Sequence, residues 1–410
     1  MKLPLKRLCL GLLLVLALQP IYLLALVATD YVAPPEFRRE RMQRIPPTPD
    51  VATEDCVGLG VGLEPGGVGW HNAIWAARPV TSENNCVALA AAIANKPDVT
   101  WLPYPRYWHG YRVVMDPLTA WLPMYPYRYV MLAAMIAALT WFAFELRSLV
   151  GADATTALIV PTVVLTDLWV AWNYGVHTIP IIAIFAGSAV FARKARRPDS
   201  DLILIAAVLG SVFNYVDFLI NVPWQPMLIA FVALAAGRRE PETLGIVVAW
   251  FAGYSLTWAS KWAIACAAGA SWSDIFEVIL YRLNGDAPGF VRHHFLAPTG
   301  KVLGQLYYQT HPARLFLILL PTLLLPMRRP NLKRFALLSS PLLIPFVWFE
   351  TLSNHTQIHS WITYRPLASC LGILIAAAII ASRGGKSAVA CEPAHGEQGP
   401  AGIAQRQSAG

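Results

Sequence analysis

One kind of segment recurs along this chain: apolar runs of roughly 15 to 25 residues, separated by short stretches that carry nearly all of the charge. A run such as LCLGLLLVLALQPIYLLALVA satisfies its backbone polar groups in a helix, but its side chains find shelter only in lipid or among other helices. Repeated along 410 residues, that pattern excludes a soluble fold. With 56% hydrophobic residues, 14% charged residues and a mean hydropathy of +0.48, the chain is expected to be an all-α polytopic membrane protein. About ten transmembrane helices are expected, at residues 7–28, 129–146, 155–172, 178–192, 202–220, 226–237, 243–267, 314–327, 335–352 and 366–382.

Charge placement gives an independent reading of topology. The first run follows Lys2, Lys6 and Arg7 as a signal peptide would, but it is long, and the "ATDYV" behind it is a poor cleavage site. An uncleaved span with a cytoplasmic amino end is expected. The basic stretches ELRSLVGAD, RKARRPDSD, GRREPE, RRPNLKR and SRGGKS then fall on the cytoplasmic side in alternation. The net charge of +8 follows from this placement and calls for no nucleic-acid partner. His71, His109, His177, His293, His294, His311, His355 and His359 all fall on the opposite side, and only His395, in the tail, does not.

These boundaries divide the chain into a first transmembrane helix (1–28), an extracytoplasmic loop with juxtamembrane helices (29–128), a bundle (129–382) interrupted by an outer loop at about 268–313, and a disordered cytoplasmic tail (383–410). The large loop is too long for a connector. Helical periodicity shows in it only around TSENNCVALAAAIANK, with Thr81 or Ser82 as cap and an end near Pro97. Cys56 and Cys86 are its only cysteines, and in an oxidising compartment they are expected to form a disulfide. In the second outer loop, SWSDIFEVILYRL repeats apolar residues at helical spacing, as a helix lying on the membrane surface would. No internal repeat is visible.

Four polar clusters mark the outer ends of the spans: PRYWHGYRVVMDPL, NYVDFLINVPW, GYSLTWASKW and NHTQIHSWITYR. An ionisable group near hydrocarbon costs about 2.5–3.5 kcal/mol, so Asp167, Asp217 and Lys261 need partners or a wet cavity. Their shared side predicts one cavity that faces outward. For a phosphate, Arg365 is the leading ligand, with Lys261 and Arg106 as helpers, because a guanidinium fork matches phosphate oxygens and a lysine adds a point charge. Snorkelling to the headgroups is the plain alternative for Arg365 and Lys261. His109, Tyr107 and Trp108 suit stacking on a sugar ring, or a simple aromatic belt. Asp217 suits sugar hydroxyls or an ion pair, and Asn354, His355, His359 and Tyr364 complete the candidate sugar and acceptor contacts. The two histidines four apart share a helix face, but residue 356 is Thr, so the zinc motif H-E-x-x-H is absent and no metal is expected.

The patterns RYWHGYxVxxxPL, VDFLxxxP, GYxxxWxxKW and NHTxIHxWxTYR, in this order from about Tyr107 to Pro366, resemble the motifs of a bacterial family of multi-spanning proteins that look like C-type glycosyltransferases. The resemblance implies a C-type fold in the cytoplasmic (inner) membrane with its site facing the periplasm. It implies transfer of one sugar, a pentose such as arabinofuranose or a hexose, from a polyprenyl-phosphate donor to a periplasmic or cell-surface glycan, lipid-linked glycan or pilin-like protein. C-type enzymes carry their acid close after the first span, which implies Asp30 as general base. Asp116, where the family pattern would place an arginine or another polar residue, is the next candidate. No cofactor is required, because a single phosphate can leave on protein cations. Other readings stay open: an envelope glycan ligase using a diphosphate carrier, an acyltransferase, a polyprenyl-lipid or solute transporter or flippase, and a scaffold. A transporter would carry polar residues through the membrane depth and at both ends, whereas here the inner ends carry mostly Lys and Arg.

Overall fold

A computed structural model describes residues 5–43, 53–168, 176–284, 295–309 and 330–383. In chain order the elements are α1 (Leu5–Val32), α2 (Pro35–Gln43), α3 (Thr53–Gly60), α4 (Trp70–Trp75), β1 (Arg78–Val80), α5 (Asn85–Ile93), β2 (Thr100–Leu102), α6 (Arg112–Trp121), α7 (Met124–Val150), α8 (Ala152–Val164), α9 (Thr178–Ala195), α10 (Leu202–Val216), α11 (Trp224–Ala235), α12 (Glu240–Ala267) and α13 (Trp272–Asn284). A helical stretch at 297–309, α14, follows. The chain closes with α15 (Leu332–Ser339), a short 3-10 turn, α16 (Leu343–Thr351), α17 (Ser353–Ile358), α18 (Ser360–Thr363) and α19 (Arg365–Ser382).

Among the described residues, six helical segments are long and apolar enough to cross a membrane: Leu5–Val32, Tyr125–Val150, Thr178–Ala195, Glu240–Ala267, Leu332–Thr351 and Ser360–Ser382. The expected ten are not reached. Ala152–Val164, Leu202–Val216 and Trp224–Ala235 are shorter apolar helices, and at 1.5 Å per residue helices of this size rise only about 18–23 Å against a hydrocarbon thickness of about 30 Å. α11 shows why an apolar run misleads. Every residue from Trp224 to Leu234 is buried, so its hydrophobicity serves protein neighbours on all sides. The expected span at 314–327 and the tail beyond residue 383 lie outside the described residues.

Small residues allow the closest crossings in the bundle. A Cβ on Gly253 would stand 2.0 Å from the Ala207 carbonyl oxygen, and one on Gly210 2.0 Å from that of Trp250, so α10 and α12 touch backbone to backbone. Gly372 packs against Leu158 in the same way, joining α19 to α8. At the basic end, Arg196 pairs with Glu145, Arg238 donates to the carbonyls of Ala195 (3.3 Å) and Arg197 (2.7 Å), and Arg383 reaches the Val150 carbonyl. Arg238 and Arg383 thereby satisfy free carbonyls at helix C-termini.

At the opposite end, the large loop is a folded module, with more helix than its sequence periodicity suggests. β1 and β2 form an antiparallel pair with Arg78 opposite Leu102. Cys56 and Cys86 are disulfide-bonded, with Cα atoms 5.0 Å apart, tying α3 to α5. The cap of α5 is Asn84, whose side chain accepts from the amides of Cys86 and Val87, in place of the expected Thr81 or Ser82. α13 forms where a surface helix was expected, and it exposes Trp272, Phe276 and Leu280.

Candidate anion cavity

Where the loop module meets the bundle lies a cavity of about 220 Å³, smaller than the roughly 300–1,000 Å³ of sites for drug-sized ligands and suited to a head group. Its polar lining comprises Arg78, Asn85, Tyr104, Arg106, Tyr107, Arg282, His355 and His359. Val57, Val176, Phe218, Ile220 and Ile362 form the apolar remainder.

Each arginine is held by a different part of the fold. Arg78 sits on β1, donates to Asn85 Oδ1 (3.1 Å) and lies 5.4 Å from the Tyr104 ring centre. The Arg106 carbonyl accepts from the indoles of Trp258 (2.7 Å) and Trp262 (3.1 Å) on α12. Its guanidinium lies 4.5 Å from the Tyr104 ring centre and donates to the Tyr104 hydroxyl (3.1 Å). Arg282, near the end of α13, donates to His359 Nε2 (3.4 Å). Among the described residues, the Nε atoms of all three arginines are buried without a hydrogen-bond acceptor, and no carboxylate lines the cavity. Buried donors without acceptors carry a desolvation cost that an anion would relieve.

The two histidines arrive on the broken helix α17. His355 donates from Nε2 to the Leu219 carbonyl (2.6 Å), holding a non-glycine residue whose φ of 66° lies in the left-handed region. The Asp217 carboxylate, 3.2 Å from the Ile220 amide, holds the other side of that turn. The rings of His355 and His359 lie 4.7 Å apart. Burial, assisted by His359 and Arg282, holds His355 well below the usual imidazole range. Burial and the cations Arg282 and Arg106 push His359 down to about 4, so both rings are neutral near pH 7.

Of the residues singled out from sequence, Arg106, Tyr107, His355 and His359 therefore meet in one cavity. The others lie elsewhere. Asp30 falls in the last turn of α1, before the loop begins, and is completely buried. It accepts from Arg112 Nη2 (2.7 Å), Asn72 Nδ2 (3.1 Å) and the Gly69 amide (3.1 Å). Asp116 accepts from Arg112 Nε (2.9 Å) and stands 2.8 Å from Arg38 Nη1. Arg38 also donates to the Gly62 carbonyl (2.6 Å). This closed quartet locks the loop module to α1. Asp116 Oδ1 is buried without a hydrogen-bond partner among the described residues, but neither carboxylate lines the cavity.

Arg365 is likewise engaged: it donates to both oxygens of Asp167, at 2.6 and 2.8 Å, with its side chain fully buried. That fork is the geometry expected for phosphate, and here a carboxylate occupies it. Lys261 caps the end of α4 through the carbonyls of Ala73 (2.7 Å) and Ile74 (2.8 Å). Trp108 donates to the Thr257 carbonyl (2.8 Å), and His109 donates to that of Tyr104 (3.0 Å). Burial keeps His109 far below its usual pKa. Tyr364 and Asn354 are buried away from the cavity, as is Asp217.

Arg78 and Arg282 escaped the sequence reading. Each stands in a segment whose other residues read as strand or amphipathic helix, and only the tertiary fold turns the two guanidiniums towards His359 and Arg106. Comparison with protein-family models, with curated proteins and with solved structures gives no match.

Proposed function

We propose that this chain is a membrane-embedded transferase that takes a sugar from a polyprenyl-phosphate donor at the outer membrane face and passes it to an acceptor in the cell envelope. One observation carries the proposal: three guanidiniums with unpartnered buried Nε donors line one head-group-sized cavity, with no carboxylate among the described residues of its lining. Fixed cations aimed at one point stabilise the charge that develops on a departing phosphate and need no reorganisation as the bond breaks. Tyr104, Tyr107 and Phe218 give the cavity an aromatic wall, with Tyr107 stacked on Phe218 at 4.8 Å. The C-type family motifs of the sequence point the same way, and the positive-inside pattern turns the cavity outward.

Transfer of radiolabelled sugar from a panel of polyprenyl-phosphate donors in isolated membranes tests this reading. Transfer with wild type and its loss with Arg106→Ala at matched expression are expected. Absence of transfer from every donor, together with no binding of farnesyl phosphate to the purified protein, would remove it. A second reading draws on the same three guanidiniums, whose combined charge also suits a diphosphate. A ligase using a diphosphate carrier would bind farnesyl diphosphate at least tenfold more tightly than farnesyl phosphate, and the monophosphate enzyme would not.

A further inference from the structure

We infer that His355 is the general base of this site and that His359 is its hydrogen-bond donor to the departing phosphate. The assignment rests on the transferase reading above and on the partners of four ring nitrogens.

His355 Nε2 faces the Leu219 carbonyl at 2.6 Å, and a carbonyl only accepts. The proton of the neutral ring is therefore on Nε2, and Nδ1 carries the lone pair. His359 is the opposite. Its Nε2 faces Arg282 Nη1 at 3.4 Å, and a guanidinium only donates, so Nε2 carries the lone pair and the proton is on Nδ1. Both Nδ1 atoms are buried without a hydrogen-bond partner among the described residues, and both residues line the cavity. Two neighbouring residues of the cavity wall thus carry an unpartnered buried lone pair and an unpartnered buried N–H, beside three cations. An unpartnered buried lone pair and an unpartnered buried N–H are each costly, and an acceptor hydroxyl and a phosphate oxygen would satisfy them together.

The step balances as follows. The acceptor hydroxyl oxygen forms a bond to the anomeric carbon while its proton passes to His355 Nδ1. The bond from that carbon to the phosphate oxygen breaks, and its electron pair stays on the phosphate, held by Arg78, Arg106, Arg282 and His359 Nδ1–H. The imidazolium then returns its proton to solvent. Asp30 and Asp116 take no part, because both lie in the ion-pair quartet with Arg38 and Arg112 and neither lines the cavity.

Nitrogen-15 labelling of histidine reads the tautomers in the purified full-length protein. The expected result is a bare Nδ1 on His355, a protonated Nδ1 on His359, and a shift of the His359 Nδ1–H signal on addition of farnesyl phosphate. His355→Gln keeps an amide donor for the Leu219 carbonyl and so guards the fold. It should bind farnesyl phosphate within twofold of wild type and lose transfer at least a hundredfold, whereas His359→Gln should weaken that binding about tenfold. A protonated Nδ1 on His355, or transfer retained in His355→Gln, overturns the assignment while leaving the donor reading intact. Failure of wild type to bind farnesyl phosphate overturns both.

Discussion

At the scale of single residues, the molecule separates charges held by opposite charges or carbonyls from the cations that line the cavity. Asp30, Asp116, Asp167, Arg38, Arg112, Arg365 and Lys261 belong to the first group, each buried or nearly so and held by an opposite charge or by backbone carbonyls. Removing one partner of such a group leaves an uncompensated buried charge, at about 3–5 kcal/mol. Arg365→Met is therefore expected to lower the thermal midpoint sharply, and Asp167→Asn added to it to restore much of the loss, as a double-mutant cycle of melting temperatures would record. Asp30→Asn should likewise act on the amount of folded protein, with a large drop in midpoint. Arg78, Arg106 and Arg282 belong to the second group. Substituting any of them by alanine should weaken farnesyl phosphate binding by roughly 10- to 100-fold, the range of a charge-assisted hydrogen bond, with little change in midpoint. The histidines add a pH dependence. In the unfolded chain they take up protons near pH 6.5, whereas in the fold His355 stays neutral well below that value and His359 to about 4. The unfolded state then binds more protons in that window, so their contribution is harmless above about pH 6.5 and destabilising as the pH falls towards 4. Melting midpoints measured from pH 8 to pH 4 should fall through that range, and less steeply in His359→Gln.

At the scale of elements, the polar motifs are fasteners between helices and the loop module. In GYSLTWASKW, Gly253 permits the close approach to α10, Trp258 and Trp262 clamp the Arg106 carbonyl, and Lys261 caps α4. In RYWHGY, Gly110 donates to the Tyr215 carbonyl at 2.7 Å, an approach that any Cβ would block. Gly253→Val should collapse the α10–α12 crossing and reduce the yield of folded protein several-fold, read by size-exclusion chromatography in detergent. The disulfide acts on the cavity wall, because Val57 and Asn85, neighbours of Cys56 and Cys86, both line it. Closing a loop of this size stabilises by about 2–4 kcal/mol, so Cys56→Ser should destabilise the loop module and loosen the Arg78–Asn85 contact. A lower affinity for farnesyl phosphate, reproduced in wild type by a reductant, is the expected reading.

At the scale of the whole molecule, the cavity lies at the seam between the loop module and the bundle, so neither alone contains it. Basic residues cap helices at one end and the cavity opens at the other, which fits a single outward-facing site. In a background lacking Cys9, Cys266, Cys370 and Cys391, a thiol at Lys96→Cys should react in intact cells with a membrane-impermeant maleimide. One at Arg197→Cys should react only after the membrane is opened. The reverse pattern would invert the topology and with it the periplasmic reading.

The helical class with membrane-length apolar helices, the helix α13, the pairing of Cys56 with Cys86 and the meeting of RYWHGY and NHTQIHSWITYR at one cavity were legible in the sequence, because hydrophobic periodicity and residue chemistry are local properties. The number of spans was not, since an apolar run such as α11 reads alike whether lipid or protein surrounds it. Nor was the division of labour among charges. Asp30 and Arg112 are separated by 82 residues, and Arg365 and Asp167 by 198, so which cation meets which carboxylate is settled by long-range packing. Arg78, Arg106 and Arg282 meet at the cavity for the same reason: the tertiary structure brings the guanidiniums together there, with no carboxylate among the described residues of the lining.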